Sequence, residues 1–156
     1  MSPLLAAGAA APSFDCGGSP LAERCRAAGA FVLFLPLAGA PVCREDVRQL
    51  ALAATELGAP RRPLFVLSVD SAAHGARFLQ ELAAAPLLHV SDRDLAIAGA
   101  FGVARREGVA ERASFLVGRD GRVVAGAVHP IGFVRPLKLL RDWLAQAALD
   151  APHSSA

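Results

Sequence analysis

Tyrosine is absent from this chain of 156 residues, which contains three cysteines, one methionine and one tryptophan. The cysteines, Cys16, Cys25 and Cys43, are odd in number and include no Cys-x-x-Cys pair. That pattern argues against a disulfide framework and indicates a reducing compartment. Their spacing matches no usual zinc site either. We therefore expect a cytoplasmic protein without a bound metal or other cofactor.

Neither sign of charge is in large excess, since 16 basic and 14 acidic residues leave a formal net charge of +2. That balance argues against nucleic-acid and membrane-surface partners. The longest uncharged run, residues 27–43, contains glycine and proline and is shorter than the roughly 20 residues that span a bilayer. No basic residue precedes Arg24, which argues against a secretory signal. We expect a soluble protein with no nucleic-acid partner and no membrane partner.

Apolar residues make up 54% of the chain and charged residues 19%, a balance typical of a folded domain. The length fits one domain, residues 1–156. A continuous apolar run at 30–35 predicts a strand covered on both faces, and helical spacing follows it as far as Gly58. A second such strand at 62–69 precedes a helix at roughly 72–84.

The second half of the chain continues with a short strand in "LLHVSD" and a helix in "DLAIAGAFG". Asp120-Gly121 predicts a hairpin turn between two further strands. A final helix is expected at about 132–149, with Phe133 on its apolar stripe, and the last seven residues are expected to fray. This order of elements predicts an α/β fold with a central mixed sheet flanked by helices.

Cys43 follows the first predicted strand and opens the first long helix. It lies four residues before Val47, so the helical phase turns its side chain inward. The first two strands should be parallel neighbours joined by a right-handed crossover. A cysteine at the exit of a central strand, at a helix N-terminus, is a thioredoxin-like arrangement.

The segment "PLAGAPVC" resembles the active-site motif Pro-x-x-x-Thr/Ser-x-x-Cys of the peroxiredoxins, the thiol peroxidases of the alkyl hydroperoxide reductase/thiol-specific antioxidant family. Pro36 and Cys43 match this motif, whereas Ala40 replaces the Thr or Ser. The resemblance covers roughly residues 8–146 and is strongest to the one-cysteine AhpE-like and bacterioferritin-comigratory-protein-like branches. Four further segments are similar to the family in the same order: "AAAPSFDC", which resembles its opening strand, "LSVDSAAHGARF", "LLHVSDRDLAIAGAFGV" and "GVAERASFLVGRDGRV".

The resemblance implies a thioredoxin-like fold and a peroxidase that reduces hydrogen peroxide or organic hydroperoxides through a sulfenic acid at Cys43. It assigns the second active-site arginine to Arg112 and the substrate pocket to Pro36, Ala40 and Val42. The chemistry agrees, because a thiolate rather than a thiol attacks peroxide. A helix N-terminus and a forked guanidinium both stabilise the thiolate and the negative charge that develops on the leaving oxygen.

The resemblance also implies partners. The sulfenic acid would be reduced by an external thiol or by a thioredoxin- or mycoredoxin-type protein, and the usual assembly is a homodimer. Cys25, in the polar segment "AERCRAAG", is expected to be exposed and is the candidate for a resolving thiol, whereas Cys16 is expected in the core. Neither stands at a familiar resolving position, so chemistry with one cysteine and an external thiol is favoured.

Two positions depart from the family pattern. Ala40 lacks the usual hydroxyl, and losing one preorganised donor typically costs about 10²–10³ in rate. Asp46 stands where Glu is usual and keeps the charge on a shorter arm. With Ala40 the pocket mouth is almost wholly apolar, which favours an organic hydroperoxide over hydrogen peroxide.

Other interpretations therefore stay open. Cys43 could be a small buried core residue, and Arg112 could form a surface salt bridge on a strand. The enzyme could have been redirected to another thiol-redox or biosynthetic reaction. From a different class, the chain could be a non-catalytic thioredoxin-fold module that binds or senses.

Overall fold

The computed structural model describes residues 3–150. Of the last seven residues, which were expected to fray, Asp150 is the last residue of the final helix and the other six lie outside this range. No helix within residues 3–150 is both long and apolar enough to cross a bilayer. The elements in chain order are α1 (Leu21–Arg24), β1 (Ala30–Phe34), α2 (Pro41–Ala53), β2 (Leu64–Ser68), α3 (Ala72–Glu81), β3 (Leu88–Ser91), α4 (Ala96–Phe101), β4 (Arg112–Val117), β5 (Val123–His129) and α5 (Leu137–Asp150).

The five strands form one mixed sheet in the order β3-β2-β1-β4-β5. β1 pairs in parallel with β2, and β2 pairs in parallel with β3. β4 runs antiparallel to both β1 and β5. The predicted mixed α/β sheet, with the first two strands as parallel neighbours, is therefore confirmed. The continuous apolar run of β1 follows from its place at the centre of the sheet, where both faces are covered.

Side chains that alternate along β1 enter two separate cores. Phe31 and Leu33 pack under α2, α3 and α5, on a side that we call the α2 face. Val32 and Phe34 pack under α1, α4 and the N-terminal segment, on a side that we call the α4 face. Successive residues of a strand point to opposite faces, so one strand supplies both cores.

Two local predictions are wrong. The last helix begins at Leu137 rather than near 132, and Phe133 is 71% exposed instead of lying on the apolar stripe. Pro136 is the reason, because a proline disfavours helical backbone at the residue before it and fits the start of a helix.

The opening segment "AAAPSFDC" forms no regular strand. It makes only the isolated bridges Ala10–Arg122 and Asp15–Pro20. Pro12 and Pro20 have no backbone N–H to donate to a ladder, so the segment pairs at single points instead of continuously. Phe14 and Cys16 are nevertheless buried against the α4 face, as a core role for Cys16 requires.

Candidate active site

Cys43 lies in the first turn of α2, immediately after the loop that leaves β1. Pro41 occupies the start of the helix, where its fixed backbone geometry fits and its missing N–H is not needed. Ala40 is the N-cap residue, with extended backbone (φ −63°, ψ 143°) and no side-chain hydrogen bond to the helix. The Cys43 side chain is 1% exposed and packs on the α2 face. The prediction of an inward-facing cysteine at a helix N-terminus is confirmed.

Arg112 reaches Cys43 from β4. Alternation along the strand places Arg112 on the same face as Leu116, which belongs to the core under α2. Its Nη2 donates to Cys43 Sγ at 3.3 Å and to the Ile131 carbonyl oxygen at 3.1 Å. Its side chain is 1% exposed. A surface salt bridge therefore does not describe Arg112.

Asp46 and Arg135 complete the charged cluster around the thiol. Asp46 accepts from Arg112 Nη1 at 2.5 Å and from Arg135 Nε at 2.9 Å. Arg135 also donates to the Ala113 and Phe34 carbonyl oxygens at 3.0 and 2.9 Å. These bonds join α2, β4, β1 and the segment before α5, so the cluster depends on the assembled fold.

Two guanidinium groups and one carboxylate are buried beside Cys43. Cys43, Asp46, Arg112 and Arg135 are each no more than 1% exposed. The ion pairs of Asp46 with Arg112 and Arg135 leave a net positive charge next to the sulfur. That charge would attract a negatively charged atom in the site.

A buried histidine borders the cluster without adding to its charge. His129 Nε2 lies 2.9 Å from Ser114 Oγ, which also accepts from Arg135 Nη1 at 3.0 Å. Burial, together with a smaller effect of the neighbouring Arg135, lowers the pKa of His129 to about 4, although Asp46 opposes the shift. His129 is therefore neutral near pH 7.

The expected pocket residues line the approach to α2. Pro36 is buried two residues after β1, and Ala40 and Val42 are half-buried on either side of Pro41. The amides of the first helical turn have no acceptor within the helix, and Ala40 offers them no side-chain cap. In addition, Arg112 Nε is buried with no partner among the described residues. These N–H groups are donors that a bound oxygen atom could use.

Cys25 is not exposed, contrary to the prediction from its polar surroundings. It follows α1 and is 0% exposed, because it lies four residues after the buried Leu21 and points to the same side. Burial raises the pKa of Cys25 to about 11 and that of Cys16 to about 12. Both thiols belong to the core of the α4 face, across the sheet from Cys43.

Sequence reasoning did not single out Arg135 or Ser114. Arg135 fell inside the helix predicted at 132–149, where a charged residue looks like part of a solvated face. The available signal was Arg135-Pro136: because the proline marks a helix start, the arginine belongs to the preceding extended segment. Nothing in the sequence indicated that this segment passes under Asp46.

Comparisons with known proteins agree with this architecture. The profile of the AhpC/TSA family matches residues 8–125. AhpC of Mycobacterium tuberculosis has a similar structure, with a TM-score of 0.80, 19% identity and coverage of 97% of this chain and 98% of that chain. Enterococcus faecalis AhpC is also similar, with a TM-score of 0.80, 19% identity and coverage of 98% of this chain and 99% of that chain. Peroxidoxin BcpB of M. tuberculosis has a TM-score of 0.75, 20% identity and coverage of 95% of this chain and 99% of that chain. No curated protein sequence matches the chain. The structural matches confirm the thioredoxin-like fold.

Proposed function

The chain belongs to the AhpC/TSA family of thiol-dependent peroxidases, and from that premise we propose that Cys43 is its peroxide-reducing thiol and Arg112 the residue that activates it. The protein is thus an oxidoreductase of the peroxiredoxin type. One observation carries the assignment: Arg112 Nη2 lies 3.3 Å from Cys43 Sγ at the N-terminus of α2. A binding module would need no buried guanidinium on a buried thiol, and no observation favours a redirected reaction.

In the proposed reaction the Cys43 thiolate attacks one peroxide oxygen and the O–O bond breaks. The sulfur becomes a sulfenic acid, and the other oxygen leaves as water or an alcohol by taking up a proton equivalent to the one that Cys43 lost on forming the thiolate. Arg112, whose Nε has no partner among residues 3–150, and the first amides of α2 stabilise the charge that develops on the leaving oxygen. These donors compensate in part for the hydroxyl that Ala40 lacks.

We propose that the pocket prefers organic hydroperoxides. Pro36, Ala40 and Val42 offer it no side-chain hydroxyl. Leu37 and Ile131, which border the loop and the Arg112 contact, are 46% and 38% exposed. An apolar rim gains from contact with an alkyl or aryl group, which hydrogen peroxide does not have.

An external thiol is the proposed reductant. It attacks the sulfenic sulfur and releases water, and a second thiol then frees Cys43 as a disulfide forms between the two reductant sulfurs. Support comes from the other two cysteines, because Cys16 and Cys25 are buried across the sheet and burial raises the pKa of both thiols. A one-cysteine branch of the family and a thioredoxin- or mycoredoxin-type partner suit that arrangement.

A homodimer is the proposed assembly. β5 is at the end of the sheet and pairs with β4 alone among the named strands. Val124 and Val128 on this strand are 40% and 45% exposed. Beyond Val123, which donates to the Ala9 carbonyl oxygen and accepts from the Gly8 N–H, this edge strand with apolar side chains is a surface on which a second copy can pair.

The proposed compartment is the cytoplasm. All three cysteines are free thiols in the structure. Such thiols persist where the surroundings are reducing.

Rapid mixing with stoichiometric hydrogen peroxide or cumene hydroperoxide, read by intact mass, tests the reactive thiol. We expect one oxygen to be added at a rate at least about 10²-fold above that of free cysteine. The Cys43→Ser variant should add none at that rate. A wild-type rate equal to that of free cysteine, or oxidation that survives Cys43→Ser, would refute the assignment.

The substrate preference needs its own comparison. We expect a higher kcat/KM for cumene hydroperoxide than for hydrogen peroxide. Ala40→Thr should raise the rate with hydrogen peroxide more than the rate with cumene hydroperoxide, because it restores a hydroxyl donor and narrows an apolar wall. A wild type that prefers hydrogen peroxide contradicts this part of the proposal.

A further inference from the structure

A second, partly buried network lies beneath the loop that carries the chain into α2. Asp70, just after β2, accepts the Ala38 backbone N–H at 2.8 Å and the Ser68 hydroxyl at 2.7 Å on the same oxygen, Oδ2. Ser68 Oγ in turn lies 2.8 Å from His89 Nε2 on the neighbouring strand β3. Ser91 Oγ donates to the Asp70 carbonyl oxygen at 2.7 Å and fixes the backbone there. One chain of contacts thus joins His89 to the active-site loop.

The protons in this chain can be assigned by counting donors. An ionised carboxylate only accepts, so the short contact between Ser68 and Asp70 uses the single hydroxyl proton of Ser68. The Ser68 oxygen can then only accept from its other neighbour. The proton between Ser68 and His89 must therefore lie on His89 Nε2.

The environment of the other imidazole nitrogen, Nδ1, is different. His89 Nδ1 is buried and has no hydrogen-bond partner among the described residues. It faces α3 at Gly75, where any side chain would overlap the ring. Burial lowers the pKa of His89, an effect that Asp70 partly opposes. A neutral imidazole with its proton on Nε2 fits this site, whereas a second proton on Nδ1 would have no acceptor.

Ser68 and His89 do not form a pair of nucleophile and general base. Ser68 is 1% exposed and gives its proton to Asp70, so its oxygen faces neither solvent nor substrate. Asp70 contacts Ser68 rather than Nδ1, so no carboxylate orients the histidine for proton transfer. Among residues 3–150, the only hydrogen bond between this network and the active-site loop is the one donated by the Ala38 amide.

We propose that His89 is a positioning residue for the reactive thiol: through Ser68 and Asp70 it fixes the Ala38 N–H, and with it the loop that sets the N-terminus of α2. This inference rests on the proposed role of Cys43. The loop spans only residues 36–40 and ends at the N-cap Ala40, whose carbonyl oxygen accepts the first helical bond from Arg44 at 2.9 Å. A displaced loop therefore displaces the amides and pocket residues that surround Cys43.

Two readouts test the proposal in the full-length protein: exchange of the Ala38 amide, followed by NMR, and the single-turnover oxidation rate with cumene hydroperoxide. The variants are Ser68→Ala, His89→Leu and His89→Gln, the last of which keeps an N–H donor near the position of Nε2. His74→Leu is the matched control, since His74 is exposed on α3 and its side chain takes no part in the network.

We expect Ser68→Ala and His89→Leu to speed Ala38 exchange at least about tenfold and to slow oxidation about tenfold, because small misplacements near a reacting atom are costly. His89→Gln should restore most of both properties, and His74→Leu should change neither. The double variant Ser68→Ala/His89→Leu should be no slower than the slower single variant, since both act through one chain.

The proposal is overturned if His89→Leu and Ser68→Ala lower the melting temperature yet leave Ala38 exchange and oxidation as in the wild type. It is also overturned if His89→Gln behaves like His89→Leu. Failure of the proposed function looks different. In that case the wild type itself oxidises no faster than free cysteine, while Ala38 exchange still responds to the variants.

Discussion

The Cys43 thiol and the Cys16 and Cys25 thiols lie on opposite faces of the same sheet and are equally hidden from solvent. Their exposed fractions are 1%, 2% and 0%. Cys43 has a guanidinium nitrogen 3.3 Å away and the buried ion pairs of Asp46 with Arg112 and Arg135 behind it. Cys16 donates instead to the Phe14 carbonyl oxygen at 3.7 Å and must keep its proton to do so.

Burial alone therefore does not set the electrostatic surroundings of a thiol in this protein. Without a cationic partner of comparable strength, removal from water raises the pKa of the Cys16 and Cys25 thiols. Next to Arg112, the same removal from water strengthens the attraction between the guanidinium and a thiolate. The two regions differ in the charges that the fold brings to each sulfur, and four experiments test that difference.

The largest expected effect follows from removing the carboxylate that holds the two arginines of the Cys43 region. Asp46→Asn leaves Arg112 and Arg135 without a buried counter-charge, which we expect to lower the free energy of unfolding by about 3–5 kcal/mol. Urea unfolding at pH 7 measures this change in the free energy of unfolding. Glu45→Gln, one position earlier on the exposed side of α2, should stay within about 0.5 kcal/mol. Equal stability losses in the two variants would show that the buried cluster is not special.

Arg112→Met keeps much of the side-chain volume and removes the charge beside Cys43. We expect the second-order rate of Cys43 oxidation to fall about 10²–10³-fold, because the loss removes a preorganised donor and its charge. The oxidation rate of Arg112→Lys should lie between those of the wild type and Arg112→Met, since the point charge of lysine cannot reproduce the forked guanidinium. Arg105→Met is the control, because within the described part of the chain Arg105 forms ion pairs with Glu107 and Glu111, away from the thiol. An Arg112→Met rate close to that of the wild type would mean that burial and the helix suffice.

The Cys16 and Cys25 thiols should make the free energy of unfolding fall in alkali. Folding raises the pKa of these thiols from the ordinary 9.0 to about 12 and about 11. Above pH 9 the unfolded chain loses these protons while the folded chain keeps them, so stability is intact below pH 9 and falls as pH rises. Each thiol should contribute a loss of ~1.4 kcal/mol per pH unit.

Urea unfolding at several pH values from 8 to 10.5 measures this slope. Few other side chains titrate in this interval, because the chain has no tyrosine and Lys138 is its only lysine. In the Cys16→Ala/Cys25→Ala double variant the free energy of unfolding should depend less steeply on pH over the same interval. A double variant with the wild-type slope would show that these thiols ionise as readily in the folded chain as in the unfolded one.

The smallest expected effect concerns a remote charge. Asp120 adds to the raised pKa of Cys25, but burial is the larger cause. Asp120→Asn should therefore increase the thiolate fraction of Cys25 at pH 10 only about twofold, as read by absorbance near 240 nm in a Cys16→Ala/Cys43→Ser background. An increase of tenfold or more would mean that charge, not burial, controls this region as well.

Much of this arrangement is encoded locally. The apolar runs of β1 and β2, the helical spacing after Cys43 and the Asp120-Gly121 turn are short-range patterns, and the predicted elements follow them. The proline before α5 was also readable, although the helix was predicted too early. Cys25 was misjudged because its polar neighbours lie close in sequence, whereas its burial depends on the way α1 packs.

Periodicity and turn residues act over a few positions, so the α/β order of elements and the place of Cys43 at a helix N-terminus can be predicted from sequence. Which thiol lies next to a guanidinium group depends instead on the assembled fold. Cys43, Asp46, Arg112 and Arg135 are up to 92 positions apart and come from different elements. Charges interact through distance in space, and strand order and side-chain alternation in the assembled sheet set those distances.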